Sequence, residues 1–390
     1  MSEQDECEIV SKKLTEFPKD VFTNTKMKLF DGKNNYVHRL PDNFKFLIDL
    51  MWLNLEDNLL EIFPEQITHL VNLKSLFINK NKIKVIPDSI GNLKKLERLN
   101  LSDNFIEFLP DSFTGLNELE SVFIINNVLN VLPADIGKLS KLKLLYLSNN
   151  LLSVLPDTIN ELPTLFDLDV SHNPLNTENL MLKTLRVFDG SNTCFNKSII
   201  ENNPHLMKLV LNNVHLTSKD LLYISNLSSL LVLYISNNDI LTIPIELSNL
   251  KRLQSFDISY NNISIIPPIF DNFVDLLNLN ISHNKIDELT LFTNYETCNI
   301  KISALDVSFN NLRVISPEIK FYKLLIDFDA SYNKIEVVDE SISEIVTLKK
   351  LYISYNNIKI IRILPKELTN LYVTGNPIVY IDEEYKGKIQ

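Results

Sequence analysis

The sequence predicts an α/β solenoid, a stack of short coils with parallel strands on one side and short helical segments on the other. Three observations predict this fold class. Prolines recur every 23 residues, asparagines recur with the same step six residues before a proline, and the pattern LxxLxLxx leads into the asparagine. The prolines of the first seven copies are Pro18, Pro41, Pro64, Pro87, Pro110, Pro133 and Pro156. A fixed period over so many copies is the signature of a repeat architecture.

Each coil is predicted to begin with a strand. In one copy, Leu99 and Leu101 flank Asn100, and the same alternation of apolar and polar residues returns in the other copies. Alternation with a period of two indicates a short strand with one buried face. No single repeat can bury its leucines, so neighbouring repeats must stack. We expect a curved horseshoe with the parallel strands on its concave face.

The second half of each coil is predicted to turn and then form a short helical or 3-10 segment. After the strand, Asn104 can bond the backbone groups that a tight turn leaves unpaired. The Leu109-Pro110 step then starts the convex segment, since proline suits the first turn of a helix. Apolar residues three apart, such as Ile90 and Leu93, point back into the core.

The repeats continue into the C-terminal half, but two copies between the halves are degenerate. There, Thr193 and Val214 occupy the asparagine position. We therefore predict five segments: an N-terminal cap with a partial repeat at 1–26, a regular array at 27–175, degenerate junction repeats at 176–216, a second array at 217–381 and a C-terminal tail at 382–390.

Composition excludes several classes of function. The chain has 38 Lys and Arg against 49 Asp and Glu, a net charge of −11, which argues against nucleic acid or an anionic membrane as partner. Its 7 glycines form no phosphate-binding motif. The polar N-terminus and the lack of a long apolar run predict neither a signal peptide nor membrane insertion. Three scattered cysteines suggest no disulfide or zinc spacing, so we expect a cytoplasmic location, with the nucleus as the alternative.

The repeat resembles the leucine-rich repeat family. One copy runs from Leu142 through Leu145, Leu147 and Asn150 to Pro156, and the resemblance extends over residues 10–381. The full pattern, LxxLxLxxNxLxxLPxxIxxL, resembles the intracellular subgroup of Ras-linked scaffolds and the Scribble–Erbin type. This resemblance implies a non-enzymatic scaffold or adaptor in signalling, without a cofactor. It would bind a protein on its concave face, a small GTPase or a phosphatase assembly being the favoured class.

Two other functions stay open. Some leucine-rich repeat arrays regulate a phosphatase, kinase or cyclase domain in the same chain, but only a short tail, ending at Gln390, follows the last repeat here. An extracellular recognition receptor is the second alternative. It is disfavoured because we find neither a signal peptide nor cysteine-rich caps.

Aromatic residues on the predicted concave face are the first candidate binding residues. The main set, in the C-terminal half, is Tyr260, Phe309, Tyr332, Tyr355, Tyr352 and Tyr372. A smaller set, in the N-terminal half, is Phe77, Phe123 and Tyr146. Exposed rings are enriched at binding hot spots, but they could instead stack on one another along the coils. His172 and His283 are predicted to be isolated surface residues.

Carboxylates on the same face are the second candidate set. They are Asp257, Asp306, Asp327 and Asp329 in the C-terminal half, and Asp167, Asp169 and Asp189 in the N-terminal half. Such acids could contact a basic partner, stand in solvent in a structural role, or hold a metal ion. We assign no catalytic, cofactor or metal site, and we predict the main binding surface in the C-terminal half.

Overall fold

The computed structural model describes residues 5–296 and 298–390 and divides the chain into two compact units. Unit 1 ends at Asn203 and unit 2 begins at Pro204. Each unit is a stack of coils with parallel strands on one side, which confirms the predicted α/β solenoid fold. Residues 1–4 of the predicted N-terminal cap lie outside the described residues. The other segment boundaries stay predictions.

Unit 1 alternates strands with 3-10 helices and ends with one α-helix. The strands are β1 Glu6–Glu8, β2 Leu29–Asp31, β3 Trp52–Asn54, β4 Ser75–Phe77, β5 Arg98–Asn100, β6 Ser121–Phe123, β7 Leu144–Tyr146, β8 Asp167–Asp169 and β9 Val187–Asp189. The 3-10 helices are Lys19–Thr23, Asp42–Phe46, Glu65–His69, Asp88–Asn92, Asp111–Gly115, Ile136–Lys138 and Asp157–Glu161. The α-helix is α1 Ser198–Asn202.

Unit 2 repeats this order with additional two-residue strands. Its strands are β10 Lys208–Val210, β11 Val232–Tyr234, β12 Ser255–Asp257, β13 Asn278–Asn280, β14 Ala304–Asp306, β15 Val314–Ile315, β16 Asp327–Asp329, β17 Val337–Val338, β18 Lys350–Tyr352, β19 Ile360–Ile361, β20 Asn370–Tyr372 and β21 Tyr380–Ile381. Its helical segments are α2 Leu221–Ile224, the 3-10 helices Ile245–Asn249, Phe270–Asn272, Pro317–Phe321 and Glu340–Glu344, and α3 Glu383–Lys386.

The strands pair in parallel with equivalent residues in register. Leu53 pairs with Leu76, and Leu76 pairs with Leu99, and all three side chains are fully buried. From β2 onward, the middle residue of each three-residue strand therefore faces the core, while the first and third residues face away from it. This register places equivalent outward residues of successive repeats side by side.

In the regular repeats, the asparagine holds the turn after the strand, as predicted. The Asn104 Oδ1 atom accepts a hydrogen bond from the Ile83 N–H at 2.9 Å, which joins one coil to the next. Its Nδ2 group donates to the carbonyls of Ile78, Leu101 and Ser102 at 3.0–3.2 Å. These contacts satisfy buried backbone groups that no strand or helix partner reaches.

The opposite side of the coils is mostly 3-10 rather than α-helical. In the segment Asp88–Asn92, proline precedes the first residue, and the Leu93 N–H bonds the Ile90 carbonyl at 3.1 Å. The tighter 3-10 turn is common in segments this short, and among the described residues only α1, α2 and α3 are α-helical. None of the described helices is long and apolar enough to span a bilayer.

Candidate functional site

The strand face of unit 2 consists of the first and third residues of β10–β14, β16, β18 and β20. Its third residues form one lane, which runs in register through Asp257, Asn280, Asp306, Asp329, Tyr352 and Tyr372. Asp327, the first residue of β16, lies beside this lane. The structure thus brings the four predicted acids of the C-terminal half onto three strands, β12, β14 and β16, with Asn280 of β13 in the same lane.

Each acid of the lane has a structural task that explains its place. The Oδ1 atom of Asp306 accepts a hydrogen bond from the N–H two residues later, at 2.9 Å from Ser308. In the same way, Oδ1 of Asp257 and Oδ1 of Asp329 accept hydrogen bonds at 2.9 Å from the N–H groups of Ser259 and Ser331, again two residues later. Asn280 does so at 3.0 Å, without a charge. The turn therefore needs an aspartate or asparagine side chain here, but it does not need the negative charge.

The negative charge on this face is only partly compensated. Lys350 Nζ lies 3.2 Å from Asp327 Oδ2, and Asn280 Nδ2 donates to Asp257 Oδ2 at 3.3 Å. Neither Asp306 nor Asp329 forms an ion pair with any described residue. Burial raises the pKa of Asp329, and the nearby charges of Asp306 and Asp327 add to that rise. The lane thus holds carboxylates that an additional positive charge would stabilise.

A shallow depression of about 350 Å³ opens among these carboxylates. Asp306, Asp327 and Asp329 line it together with Tyr352. The Tyr352 ring stacks on Tyr372 with centroids 4.4 Å apart and planes 10° apart. Tyr352 thus forms one wall of an acidic depression, and Tyr372 packs against Tyr352.

A second lane, which we term the ring column, lies three residues after the first lane on each coil. It consists of Tyr260, His283, Phe309, Tyr332 and Tyr355. Adjacent rings stack nearly face to face with centroids 3.7, 4.0, 4.1 and 4.4 Å apart. The rings therefore do stack on one another along the coils, and the stacking buries their faces but leaves their edges exposed. Tyr260, Phe309, Tyr332 and Tyr355 remain 53%, 41%, 42% and 48% exposed.

The backbone of the ring column is in the left-handed region, where bulky side chains are uncommon. Phe309 has φ +52° and Tyr332 has φ +54°. The equivalent positions of unit 1 carry Asp57, Lys80 and Asp103 in the same conformation, with Asn126 and Asn149 after them. Asparagine and aspartate tolerate this conformation more readily than aromatic residues do. The turn therefore does not demand the rings, and their presence on successive coils points to another role.

The ring column ends at Gly375, which has φ +78°. A Cβ atom at this position would lie 2.6 Å from Cδ1 of Tyr355. The glycine therefore leaves room for the outer face of the last ring.

His283 corrects one prediction, because it is the second member of the ring column and not an isolated surface residue. It stacks between Tyr260 and Phe309, and its Nδ1 atom is buried without a hydrogen-bond partner among the described residues. Burial lowers its pKa, against the opposing charge of Asp306. The shared position before the asparagine was the sequence signal that could have identified it.

In unit 1 the predicted aromatic residues form separate pairs. Phe77 packs against Trp52 with ring centroids 5.7 Å apart, and sequence reasoning missed Trp52. Phe123 meets Tyr146 edge to face at 5.1 Å. The Tyr146 hydroxyl donates to Asp167 Oδ2 at 2.8 Å, and burial followed by this contact raises the pKa of Tyr146.

The remaining acids of unit 1 serve the same turn as those of unit 2. Asp169 accepts bonds from Ser171 N–H and Oγ at 3.0 and 2.7 Å, and Asp189 accepts one from Ser191 N–H at 2.9 Å. The two aspartates are in register on β8 and β9. In the part of the chain that the structure describes, no group of three or more His, Cys, Asp or Glu side chains is placed to hold a metal ion.

Sequence reasoning also missed an exposed apolar stripe on the flank of unit 1. It recurs with the 23-residue step, two residues before each proline, and comprises Ile62, Val85, Phe108, Val131 and Val154. Most of these residues are β-branched, which suits the extended backbone between the turn and the 3-10 helix. The stripe is thus a second exposed apolar surface, outside the predicted site.

Parts of the sequence match a known repeat family, and the fold is similar to several solved structures. The family described as "Leucine rich repeat" matches residues 71–129, 118–175 and 204–263. The leucine-rich repeat protein LIC12759 of Leptospira interrogans is 25% identical, with a TM-score of 0.74, over 97% of this chain and 91% of that one. A TDR receptor is 24% identical, with a TM-score of 0.76, over 98% and 70%. No curated protein matches the sequence.

A third similar structure is a plant receptor ectodomain. The leucine-rich repeat ectodomain of the Arabidopsis thaliana receptor kinase GASSHO1/SCHENGEN3, in complex with CASPARIAN STRIP INTEGRITY FACTOR 2, is 24% identical with a TM-score of 0.71. The likeness covers 93% of this chain and 49% of that one, so the chain spans about half its length. At this level of identity the likeness shows the fold. The family match over residues 71–175 and 204–263, the parallel strands and the asparagine turns together show that this chain has a leucine-rich repeat solenoid fold.

Proposed function

We propose that this chain is a non-enzymatic scaffold or adaptor that binds a protein partner on the strand face of unit 2, inside the cell, in the cytoplasm or nucleus. One observation carries the proposal. Half-exposed rings stand on successive coils at positions where the backbone favours other residues, next to a lane of partly uncompensated carboxylates. Leucine-rich repeat proteins are generally binding modules without catalytic chemistry.

The two lanes supply different parts of a binding surface. Stacked rings are rigid, so burying their exposed edges costs little side-chain entropy and supplies the apolar contact that dominates hot spots. The carboxylates attract a basic surface and align it during association. A face with both properties is suited to a protein that carries basic and apolar groups together.

The partner class that we propose is a small GTPase or a phosphatase assembly. It rests on the resemblance of the repeat to Ras-linked scaffolds and to the Scribble–Erbin type. The net charge of −11 supports a protein rather than nucleic acid. An extracellular receptor for a peptide, as in the plant neighbour, is the second candidate.

Affinity capture with matched variants tests the proposal. The variant Tyr332→Ala/Tyr355→Ala removes exposed rings from the site, and the control variant Phe105→Ala/Leu151→Ala removes side chains of similar exposure directly after the repeated asparagine of unit 1. We expect one protein to be retained by wild type and by the control variant, and lost with the site variant. With the purified partner, the site variant should weaken binding roughly tenfold or more. Equal retention by all three proteins would refute the site, and a secreted peptide as the retained species would favour the receptor function.

A further inference from the structure

We propose, building on the function above, that the depression on the strand face of unit 2 takes an arginine side chain from a basic segment of the protein partner. The occupant is defined by charge, by the spacing of two carboxylates and by one open aromatic face. Each of these features comes from named residues of β14, β16 and β18.

Charge complementarity is the first argument. From β11 to β16 the first and third strand residues include no lysine or arginine, whereas Asp257, Asp306, Asp327 and Asp329 are all among them. The lysines at the border are already paired. Lys301, Lys349 and Lys350 lie 2.8, 3.1 and 3.2 Å from Asp275, Glu367 and Asp327 respectively. The positive charge that would stabilise Asp306 and Asp329 must therefore come from another molecule.

The spacing of the carboxylates is the second argument. Asp306 and Asp329 are in register on adjacent strands, and neighbouring strands lie about 4.8 Å apart. Each carboxylate is held in place by its bond to the N–H two residues later. A guanidinium group carries several N–H donors in a rigid plane and can reach both carboxylates at once, which the compact ammonium of lysine does less well.

The Tyr352 ring is the third argument. Tyr372 covers one face of this ring, and its other neighbour along the lane is Asp329. Tyr352 also lines the depression, so an uncovered part of the ring borders the carboxylates. A guanidinium that pairs with Asp329 can stack there, and arginine gains more from such stacking than lysine does.

The ring column explains why the arginine should belong to a polypeptide segment. Phe309 and Tyr332 lie three residues beyond Asp306 and Asp329 on the same coils. Residues on either side of the bound arginine would therefore pack against exposed ring edges. The surface is therefore suited to a partner segment in which apolar residues flank one arginine.

Labelled peptides test the assignment on the full chain. The probes are a fluorescein-labelled nonapeptide of alternating arginine and serine, and its counterpart with lysine in place of arginine. Fluorescence anisotropy at low ionic strength measures both affinities, because added salt screens such contacts. We expect the arginine peptide to bind roughly tenfold more tightly than the lysine peptide.

Two variants and one control separate the site from general acidity. Asp306→Asn/Asp329→Asn keeps the turn, as Asn280 does naturally, and should weaken the arginine peptide roughly tenfold or more. Tyr352→Leu should reduce the difference between the two peptides to about twofold or less. Asp287→Asn/Glu288→Gln removes the same charge from exposed positions off the strand face and should leave both affinities within about twofold.

The proposal is overturned if arginine and lysine peptides bind equally, if the control weakens binding as much as the site variant, or if neither peptide binds at low ionic strength. These outcomes leave the proposed function standing when Tyr332→Ala/Tyr355→Ala still abolishes capture of the partner. If the arginine preference is absent and the Tyr332→Ala/Tyr355→Ala variant also still captures the partner, the strand face of unit 2 is not the binding surface.

Discussion

At the scale of single residues, one side chain joins neighbouring coils. Asn104 makes four hydrogen bonds to buried backbone groups, and two of them, with the Ile83 N–H and the Ile78 carbonyl, reach the preceding coil. In the degenerate repeats, Thr193 donates one bond, to the Gly190 carbonyl at 2.6 Å, and Val214 cannot make any with its side chain. The asparagine is therefore a source of coil stability that these repeats lack.

We predict that Asn104→Ala lowers the free energy of unfolding of its region by about 2–3 kcal/mol, because it leaves the Ile83 N–H and nearby carbonyls unpaired in the core. Hydrogen exchange of the adjacent coils measures this loss. Asn130 is a suitable control, since its exposed Nδ2 group donates only to the Val128 carbonyl at 3.1 Å. Asn130→Ala should change stability by less than about 0.5 kcal/mol. Equal losses for both variants would contradict this role.

His283 predicts a dependence of stability on pH. The histidine of an unfolded chain binds a proton near pH 6.5, whereas burial lowers the pKa of folded His283 below that value. The unfolded state then binds more protons in the window between the two pKa values. The contribution is full above about pH 6.5, and stability falls as the pH decreases through this window.

The His283→Phe variant isolates this contribution. Phe309, the next member of the ring column, shows that this turn position accepts phenylalanine. Urea unfolding of both proteins between about pH 5 and 8 should show a shallower decline for the variant. Parallel pH profiles would show that His283 does not titrate with folding.

At the scale of elements, the ring column combines a structural and a binding role, and mutation can separate the two. Phe309→Asn loses two stacking contacts of about 0.5–1.5 kcal/mol each. It gains roughly 1 kcal/mol, since asparagine tolerates the left-handed backbone better. We expect the free energy of unfolding to change by no more than about 2 kcal/mol, while partner binding weakens clearly.

Phe328→Ala is the matched comparison for that variant, because Phe328 is the fully buried middle residue of β16. It should cost about 3–5 kcal/mol. Urea unfolding measures both losses, and partner affinity is then measured at a temperature where both proteins are folded. If Phe309→Asn destabilises as strongly as Phe328→Ala, the rings belong to the core and not to a binding surface.

The elements also show which features the sequence could predict. The 23-residue step predicted the strands and the asparagine turns because equivalent positions of the repeats carry similar residues and adopt the same conformation. It did not predict the bond from Asp306 Oδ1 to the Ser308 N–H, which depends on a side-chain rotamer. It left open whether Phe309 stacks or stands free, since stacking depends on ring orientation. The prediction that His283 is an isolated surface residue was wrong, because it considered the residue type and not the position that His283 shares with the rings of the neighbouring coils.

At the scale of the whole molecule, stability is distributed among neighbouring coils. Within each unit the strands of neighbouring coils pair in parallel, and core side chains such as Leu145 and Leu168 are in register on adjacent strands. In such an array, the energy of a coil depends on itself and its neighbours. Units 1 and 2 are each compact, so each is expected to respond locally to damage.

We predict that Leu145→Ala costs roughly 2–5 kcal/mol in its own region, as other buried large-to-small changes do. Hydrogen exchange should show lost protection in the coils around β7, and unchanged protection in unit 2. The exposed Leu151, 51% accessible, provides a control in the same coil, and Leu151→Ala should leave protection unchanged. Uniform loss of protection along the whole chain would contradict the local response.

The central claim is that the partner binds the strand face of unit 2. Hydrogen exchange of the full chain, with and without the purified partner, tests it most directly. We predict slower exchange in the segments 255–260, 304–309, 327–332 and 350–355 on binding, with the segments around Phe77, Phe123 and Tyr146 unchanged. Slower exchange confined to those segments of unit 1, or to the 3-10 helices of unit 2, would contradict the claim.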